Sequence, residues 1–292
     1  MNRNPWTGYW QQAGRGCLPE AQTGLARVLA EVWHDFGRGL RPGAKVLDLA
    51  TGDGTVLRTL SGCGRRLDLI GVDSAPALPK PPPGIRLKAG IAMERLPFPA
   101  GRFDAITSQF GIEYGDTTAI ASEIGRVLKP GGFLRFVIHH DEGAIVAHNR
   151  SRRAALTWVL SESGLLDRAR QLAKARQNAR LPTPDSFRAS IQEAARRFPG
   201  QTAGVELTSA VVQTLDLGAA RPFGQTVEVL SELQSRAEGE VGRLLALEAA
   251  ACDPARCEAI AEQLAEAGLK PSQPKVLAAG GDTIAWLLDA SA

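Results

Sequence analysis

The stretch VLDLATGDGT at residues 46–55 decides how the rest of the chain is read. Residues 45–50 alternate little between apolar and polar, as a strand buried on both faces does, and residues 55–60 (TVLRTL) have the spacing of a helix packed back on it. Gly52 and Gly54 lie between them. Lacking a Cβ, they let the backbone approach a ligand closely, and either accommodates φ > 0. Dinucleotide sites also open with strand, glycine turn and helix, but they use G-x-G-x-x-G to seat a pyrophosphate on a helix N-terminus. Here the order is Asp48-x-Ala50-x-Gly52-x-Gly54, with an acid at the strand end and no third glycine of that pattern. A carboxylate there repels a pyrophosphate and suits a cationic or amine-bearing ligand. The turn therefore points to a nucleoside-bearing ligand, against the alternative of a tight strand-to-helix turn that binds nothing.

The segments that follow favour the ligand. Residues 67–72 (LDLIGV) read as a second buried strand ending in Asp73, about 20 residues past the glycine turn, where a carboxylate can accept from both ribose hydroxyls. KPPPG leads into a third strand at 85–89, followed by GIAMERLPFP and the strand FDAITS at 103–108. QFGIEYGD, a helix through 120–128, the turn KPGG and a strand at 133–139 complete the run.

Four blocks in this order and spacing, VLDLATGDGT, LIGVDSAP, LPFPAGRFDAITSQFGIEY and EIGRVLKPGGFL at 123–134, resemble the class I S-adenosylmethionine (SAM)-dependent methyltransferases. The likeness is strongest to the subgroup of the ubiquinone and menaquinone biosynthesis methyltransferases. It covers about residues 45–140 and, more weakly, 253–289. It implies an α/β, Rossmann-like sheet of seven mostly parallel strands with an antiparallel last strand, SAM as methyl donor and S-adenosylhomocysteine (SAH) as product. It also implies that Asp48, Ala50, Thr51, Gly52 and Gly54 hold the methionine part of SAM. Asp73 would take the ribose hydroxyls, Ser74 would lie beside the adenine, and Gln109 would offer backbone contacts to the methionine moiety. Two residues depart from the family. Ala50 stands where glycine is usual, a change that is tolerated if its φ is negative. Ile91 stands where an aspartate commonly bonds the adenine amino group, which leaves adenine to backbone groups near Ile91 and Ala92 and to apolar packing.

At 292 residues with 44% hydrophobic composition, one large domain or a core plus a cap is expected. No apolar run is long enough to span a bilayer and residues 1–15 lack a signal-peptide core, so a cytoplasmic protein is expected. Cys17, Cys63, Cys252 and Cys257 lack paired C-x-x-C spacing, which predicts free thiols and no metal. The net charge of +3 is too small to argue for nucleic acid. Residues 150–197 are nonetheless arginine-rich and residues 201–250 lean acidic; two solvated helix faces that neutralise each other, or an RNA-binding stripe, both fit. The expected partner is a small-molecule methyl acceptor rather than nucleic acid, and a homodimer is compatible with the sequence.

In the resembling fold one helix follows the fifth strand, yet here the matching helix appears only at 253–267, with strands at 275–279 and 283–290. Residues 143–251 therefore read as a helical insertion or substrate cap, residues 41–142 and 252–292 as the SAM-binding domain, and residues 1–40 as an N-terminal helical lid. Within the insertion Phe187, Ile191, Ala194 and Phe198 recur at helical spacing after Thr183-Pro184-Asp185, and Val227, Leu230 and Leu233 form a second stripe. These stripes suit either a core internal to the cap or a roof over a substrate cavity. Trp6, Tyr9 and Trp10 suit either a packed helix or a lid, in which Arg15 would pair with the SAM carboxylate.

Methyl transfer from a sulfonium asks mainly for alignment and exclusion of water, with a general base only if the acceptor must lose a proton. Candidates for that base lie on the loops after the fourth and fifth strands: Glu113, Tyr114, His139 and His140. His139 and His140 precede Asp141, a carboxylate able to orient an imidazole. Neighbouring strand residues face opposite ways, so at most one of the two histidines enters the site.

Overall fold

A computed structural model describes residues 23–219 and 222–292 of the chain. The chain divides into two compact units, one built from residues 23–147 and 247–292 and the other spanning His148–Ala246.

The first unit is a sheet covered by helices. Its strands are β1 (Lys45–Leu49), β2 (Asp68–Val72), β3 (Ile85–Lys88), β4 (Phe103–Gln109), β5 (Leu128–His139), β6 (Lys270–Pro271), β7 (Lys275–Ala279) and β8 (Asp282–Ser291). The order is β3-β2-β1-β4-β5-β8-β6, with β7 also on β8; β1 to β5 run parallel, and β8 is antiparallel to β5. Eight strands replace the expected seven because the edge strand beyond β8 is broken in two. Lys270 pairs with Ser291 and Lys275 with Leu287, and between them lie Pro271 and Pro274, which carry no N–H for the ladder. The KPGG segment, expected as a turn, lies within β5 as a bulge: Phe103 pairs with Leu128 but Ala105 pairs with Phe133.

Strand alternation divides the core between the two faces. Val46, Leu69, Ala105 and Val137 pack with α1 (Thr23–Gly39) and α2 (Thr55–Ser61). Leu47, Leu49, Ile70, Ile106 and Phe136 pack on the other side with α3 (Thr117–Val127) and α9 (Pro254–Glu266). Leu25, Leu29 and Trp33, spaced i, i+4, i+8, form the buried stripe of α1, so the described part of the N-terminal segment is a sheet-covering helix. The expectations for Trp6, Tyr9, Trp10, Arg15 and Cys17 lie outside the described residues.

The second unit contains helices α5 (Leu165–Ala175), α6 (Asp185–Arg197) and α7 (Ala203–Gly218), with portions of α4 (Ala144–Thr157) and α8 (Phe223–Ala250). It has its own core, in which Phe187, Ala194 and Leu230 are buried and Ile191, Phe198 and Leu233 pack against them. The sequence stripes thus fill the interior of this unit. Among the described residues no helix is long and apolar enough to cross a membrane, and no cluster of His, Cys, Asp or Glu is arranged to hold a metal ion.

Candidate active site

The loops after β1 to β5 all emerge at the carboxyl ends of their strands, where open α/β sheets bind ligands. Hydrogen bonds tie these loops into one surface. Thr51 N–H donates to Val72 O at 2.9 Å, Gly52 N–H to the Asp73 carboxylate at 2.9 Å, and Ile91 N–H to Asp73 O at 2.9 Å. Ser108 Oγ donates to Leu49 O at 3.0 Å and Phe110 N–H to Val137 O at 2.7 Å.

Asp73 is central to this arrangement. One carboxylate oxygen accepts from Gly52 N–H and the other from Ala75 N–H at 2.8 Å. A carboxylate offers about four lone-pair sites, so about two remain for a pair of vicinal hydroxyls. Ser74, beside it, is exposed. Close packing holds the first loop against β2: a Cβ on Gly71 would lie 2.6 Å from Thr51 Cβ, so only glycine fits there.

Asp48 is almost fully buried. Thr107 Oγ1 donates to it at 2.8 Å, because β1 and β4 pair Asp48 with Thr107. Burial pushes its carboxyl up to about 7, opposed by the Thr107 hydroxyl and reinforced by the charges of Asp73 and Asp53. Asp53 is occupied otherwise: it accepts from Thr55 N–H at 3.0 Å and pairs with Arg58 at 2.8 Å. The three acids of the site thus divide into one matched by a cation and two, Asp48 and Asp73, held mainly by neutral donors. That is the chemistry to receive a cationic, hydroxyl-bearing ligand, and SAM fits it through its ammonium, sulfonium and ribose.

Ala50 and the adenine edge differ from expectation. Ala50 has φ of 50°, in the left-handed region, so it occupies a glycine conformation rather than avoiding one. Gly111 makes room for it, since a Cβ there would lie 2.5 Å from the Ala50 methyl. At the adenine edge the Ile91 N–H is already given to Asp73 O, while Ala92 is exposed. Gln109 ends β4, and its Oε1 accepts from Trp33 Nε1 at 2.6 Å, a partner with no signal in the sequence.

On the fourth and fifth loops, Glu113 and His139 are brought together, while Asp141 lies beside His140. Glu113 Oε1 lies 2.8 Å from His139 Nδ1, whereas Asp141 lies 3.1 Å from His140 Nδ1. The His139 ring stacks on Phe110 and meets the Tyr114 edge, while His140 stacks on Trp286 at 4.4 Å. Buried Cys252 and Cys257 are pushed up to about 12, mainly by desolvation, which makes them poor nucleophiles.

A methyltransferase-domain family model matches residues 46–132. Over these residues the chain is similar to SAM-dependent methyltransferase domains. Within its relatives, the domain is similar to the demethylmenaquinone methyltransferase of Beutenbergia cavernae, 40% identical over 101 residues, which are 33% of this chain and 41% of that protein. It is also similar to the ubiquinone/menaquinone biosynthesis C-methyltransferase UbiE of Shewanella sp., 36% identical over 107 residues, 33% of this chain and 43% of that one. The chain thus spans about two-fifths of the length of these relatives. Among solved structures, a SAM-dependent methyltransferase from Archaeoglobus fulgidus aligns at 17% identity and a TM-score of 0.36, over 42% of this chain and 57% of that one, too loose a likeness to argue from.

Proposed function

We propose that this protein transfers a methyl group from SAM to O, N or C of a small, partly apolar organic molecule. The observation that carries the reading is the pair of acids, Asp48 and Asp73, set in hydrogen-bonded loops with no cation among the described residues assigned to either. Bound SAM supplies an electrophilic methyl on a sulfonium. The chain's own part is to hold the donor: Asp73 takes ribose hydroxyls, Asp48 faces the ammonium, and the backbone of Ala50, Thr51, Gly52 and Gly54 lies along the methionine portion. Ser74, Ile91 and Ala92 border the adenine, and Gln109 lines the methionine end.

A partly apolar acceptor is in keeping with relatives named for demethylmenaquinone and for ubiquinone and menaquinone biosynthesis. The helical unit spans His148–Ala246. Its arginines argue against an RNA-binding stripe: Arg152 pairs with Glu240, Arg188 with Asp216, Arg196 with Glu193 and Arg197 with Glu162. Arg176 is spent on the carbonyls of Leu181 and Leu215.

Calorimetry with SAM and SAH tests the proposal, since no detectable binding of either refutes it. Asp73→Ala should weaken SAM binding by about ten- to a hundredfold, from the loss of a carboxylate that accepts from two hydroxyls. Unchanged affinity would remove Asp73 from the ribose site.

A further inference from the structure

The segment that follows β3 is zipped to the loop that carries Asp73. Gly90 N–H donates to Ala75 O at 2.8 Å and Ile91 N–H to Asp73 O at 2.9 Å. Gly52, on the turn after β1, bonds the Asp73 carboxylate, and the sheet order β3-β2-β1 puts β1 and β3 on opposite sides of β2. A nucleoside whose ribose is held by Asp73 and whose methionine portion lies toward β1 therefore carries its base toward β3, onto residues 90–93.

What that segment offers a base is one-sided. The Ala92 and Met93 N–H groups lie outside helix and strand and donate to no acceptor among the described residues. The side chains carry no oxygen or nitrogen acceptor: Ile91 and Met93 are apolar and half-buried against the cluster that includes Leu96 and Phe98, and Ala92 is exposed. Neighbouring acceptors are engaged elsewhere. Glu94 Oε1 accepts from Asp116 N–H at 3.2 Å, and Ala92 O from Arg95 N–H at 3.3 Å. Ser74 is exposed, so its hydroxyl exchanges bonds with water and gains little from one more. Backbone donors match the lone pairs of a purine ring, whereas an amino group at C6 is itself a donor and finds no partner here. A 6-oxo group is an acceptor, which the same donors match. Apolar contact with Ile91 and Met93 is indifferent to that substituent.

Resting on the methyl-transfer reading, we propose that this donor site does not read the 6-amino group. It takes purine-nucleoside sulfonium donors that carry amino, oxo or hydrogen at C6, and Ile91, Ala92 and Met93 are the residues that relax the choice. Selection of the donor falls instead to Asp73 at the ribose and to the acids and backbone along the methionine portion. A site with a buried acceptor for the amino group would reject the oxo analogue by about a hundredfold or more, because two acceptors would face each other.

The test is calorimetry on the full chain with three probes: SAH, its 6-oxo counterpart S-inosylhomocysteine, and the analogue with hydrogen at C6. Both analogues should bind within about fivefold of SAH, and a weaker affinity for either overturns the proposal. In proton–nitrogen spectra the Ala92 and Met93 amide resonances should move on addition of SAH; if neither moves, the base lies elsewhere and the assignment to these residues falls. Ala92→Asp, at an exposed position, adds an acceptor and should make the protein prefer SAH over S-inosylhomocysteine by about tenfold or more. An unchanged ratio refutes the role of this segment. Failure of SAH itself to bind is a separate outcome that sinks the methyl-transfer reading.

Discussion

Asp48→Asn separates the stability of the site from its use. The Asp48 carboxyl titrates near 7 in the folded protein against an ordinary value of 3.8, mainly because it is buried. The folded state therefore binds the proton more tightly than the unfolded state between about pH 4 and pH 7, and stability falls as pH rises through that window. The gap between 3.8 and about 7, at about 1.4 kcal/mol per tenfold change, amounts to about 4 kcal/mol lost by pH 8. Asparagine keeps the shape and can still bond the Thr107 hydroxyl but carries no charge to desolvate. The variant should match the wild type near pH 4 and exceed it by about 2–4 kcal/mol at pH 8, while binding SAM at least about tenfold more weakly for want of an anion facing the ammonium. Urea-dependent hydrogen exchange of the β1 amides reads the opening of this unit by itself. The same pH slope in both proteins would refute the reasoning. A second consequence is that SAM binding by the wild type near pH 6 should release a proton, which calorimetry detects in buffers of differing ionisation enthalpy.

Three further substitutions follow from the same geometry. Ala50→Gly should stabilise by about 0.5–1 kcal/mol, the left-handed cost of alanine less the entropy glycine adds to the unfolded chain, and raise the melting temperature by about 1–3 °C; a lower melting temperature would contradict the assigned φ. Gly71→Ala pushes a methyl into Thr51 and should cost about 1–3 kcal/mol while weakening SAM binding, because Thr51 leads into Gly52. Trp33→Phe removes the donor to Gln109 and should cost about 1–2 kcal/mol in exchange-measured stability; no loss would mean that bond contributes nothing.

Much of the first unit was legible because its signals are local. Residues 46–55 announce a buried strand, a glycine turn and a helix, and β1 and α2 stand there. Helical periodicity after the fifth strand was legible too, and Phe187, Ala194 and Leu230 of its apolar stripes are buried. Where the reading departed, the missing information was a partner distant in sequence. The broken edge strand depends on which residues β8 pairs with. Ala50 keeps a glycine's φ because Gly111, on another loop, leaves space for its methyl.

By itself, then, the sequence determined which residue types line the turn, that an acid lies near the end of β1 and another follows β2, and that helical periodicity follows the fifth strand. All of that is carried by strand and helix periodicity and by glycine at fixed offsets. Tertiary structure alone decided what those acids experience. Asp48 is lifted toward 7 by burial opposite Thr107, Asp53 is matched by Arg58, and Asp73 keeps half of its accepting capacity. It also decided that His139 answers to Glu113, because a turn after the neighbouring strand brings that distant carboxylate within 2.8 Å of its ring, while Asp141 lies beside His140.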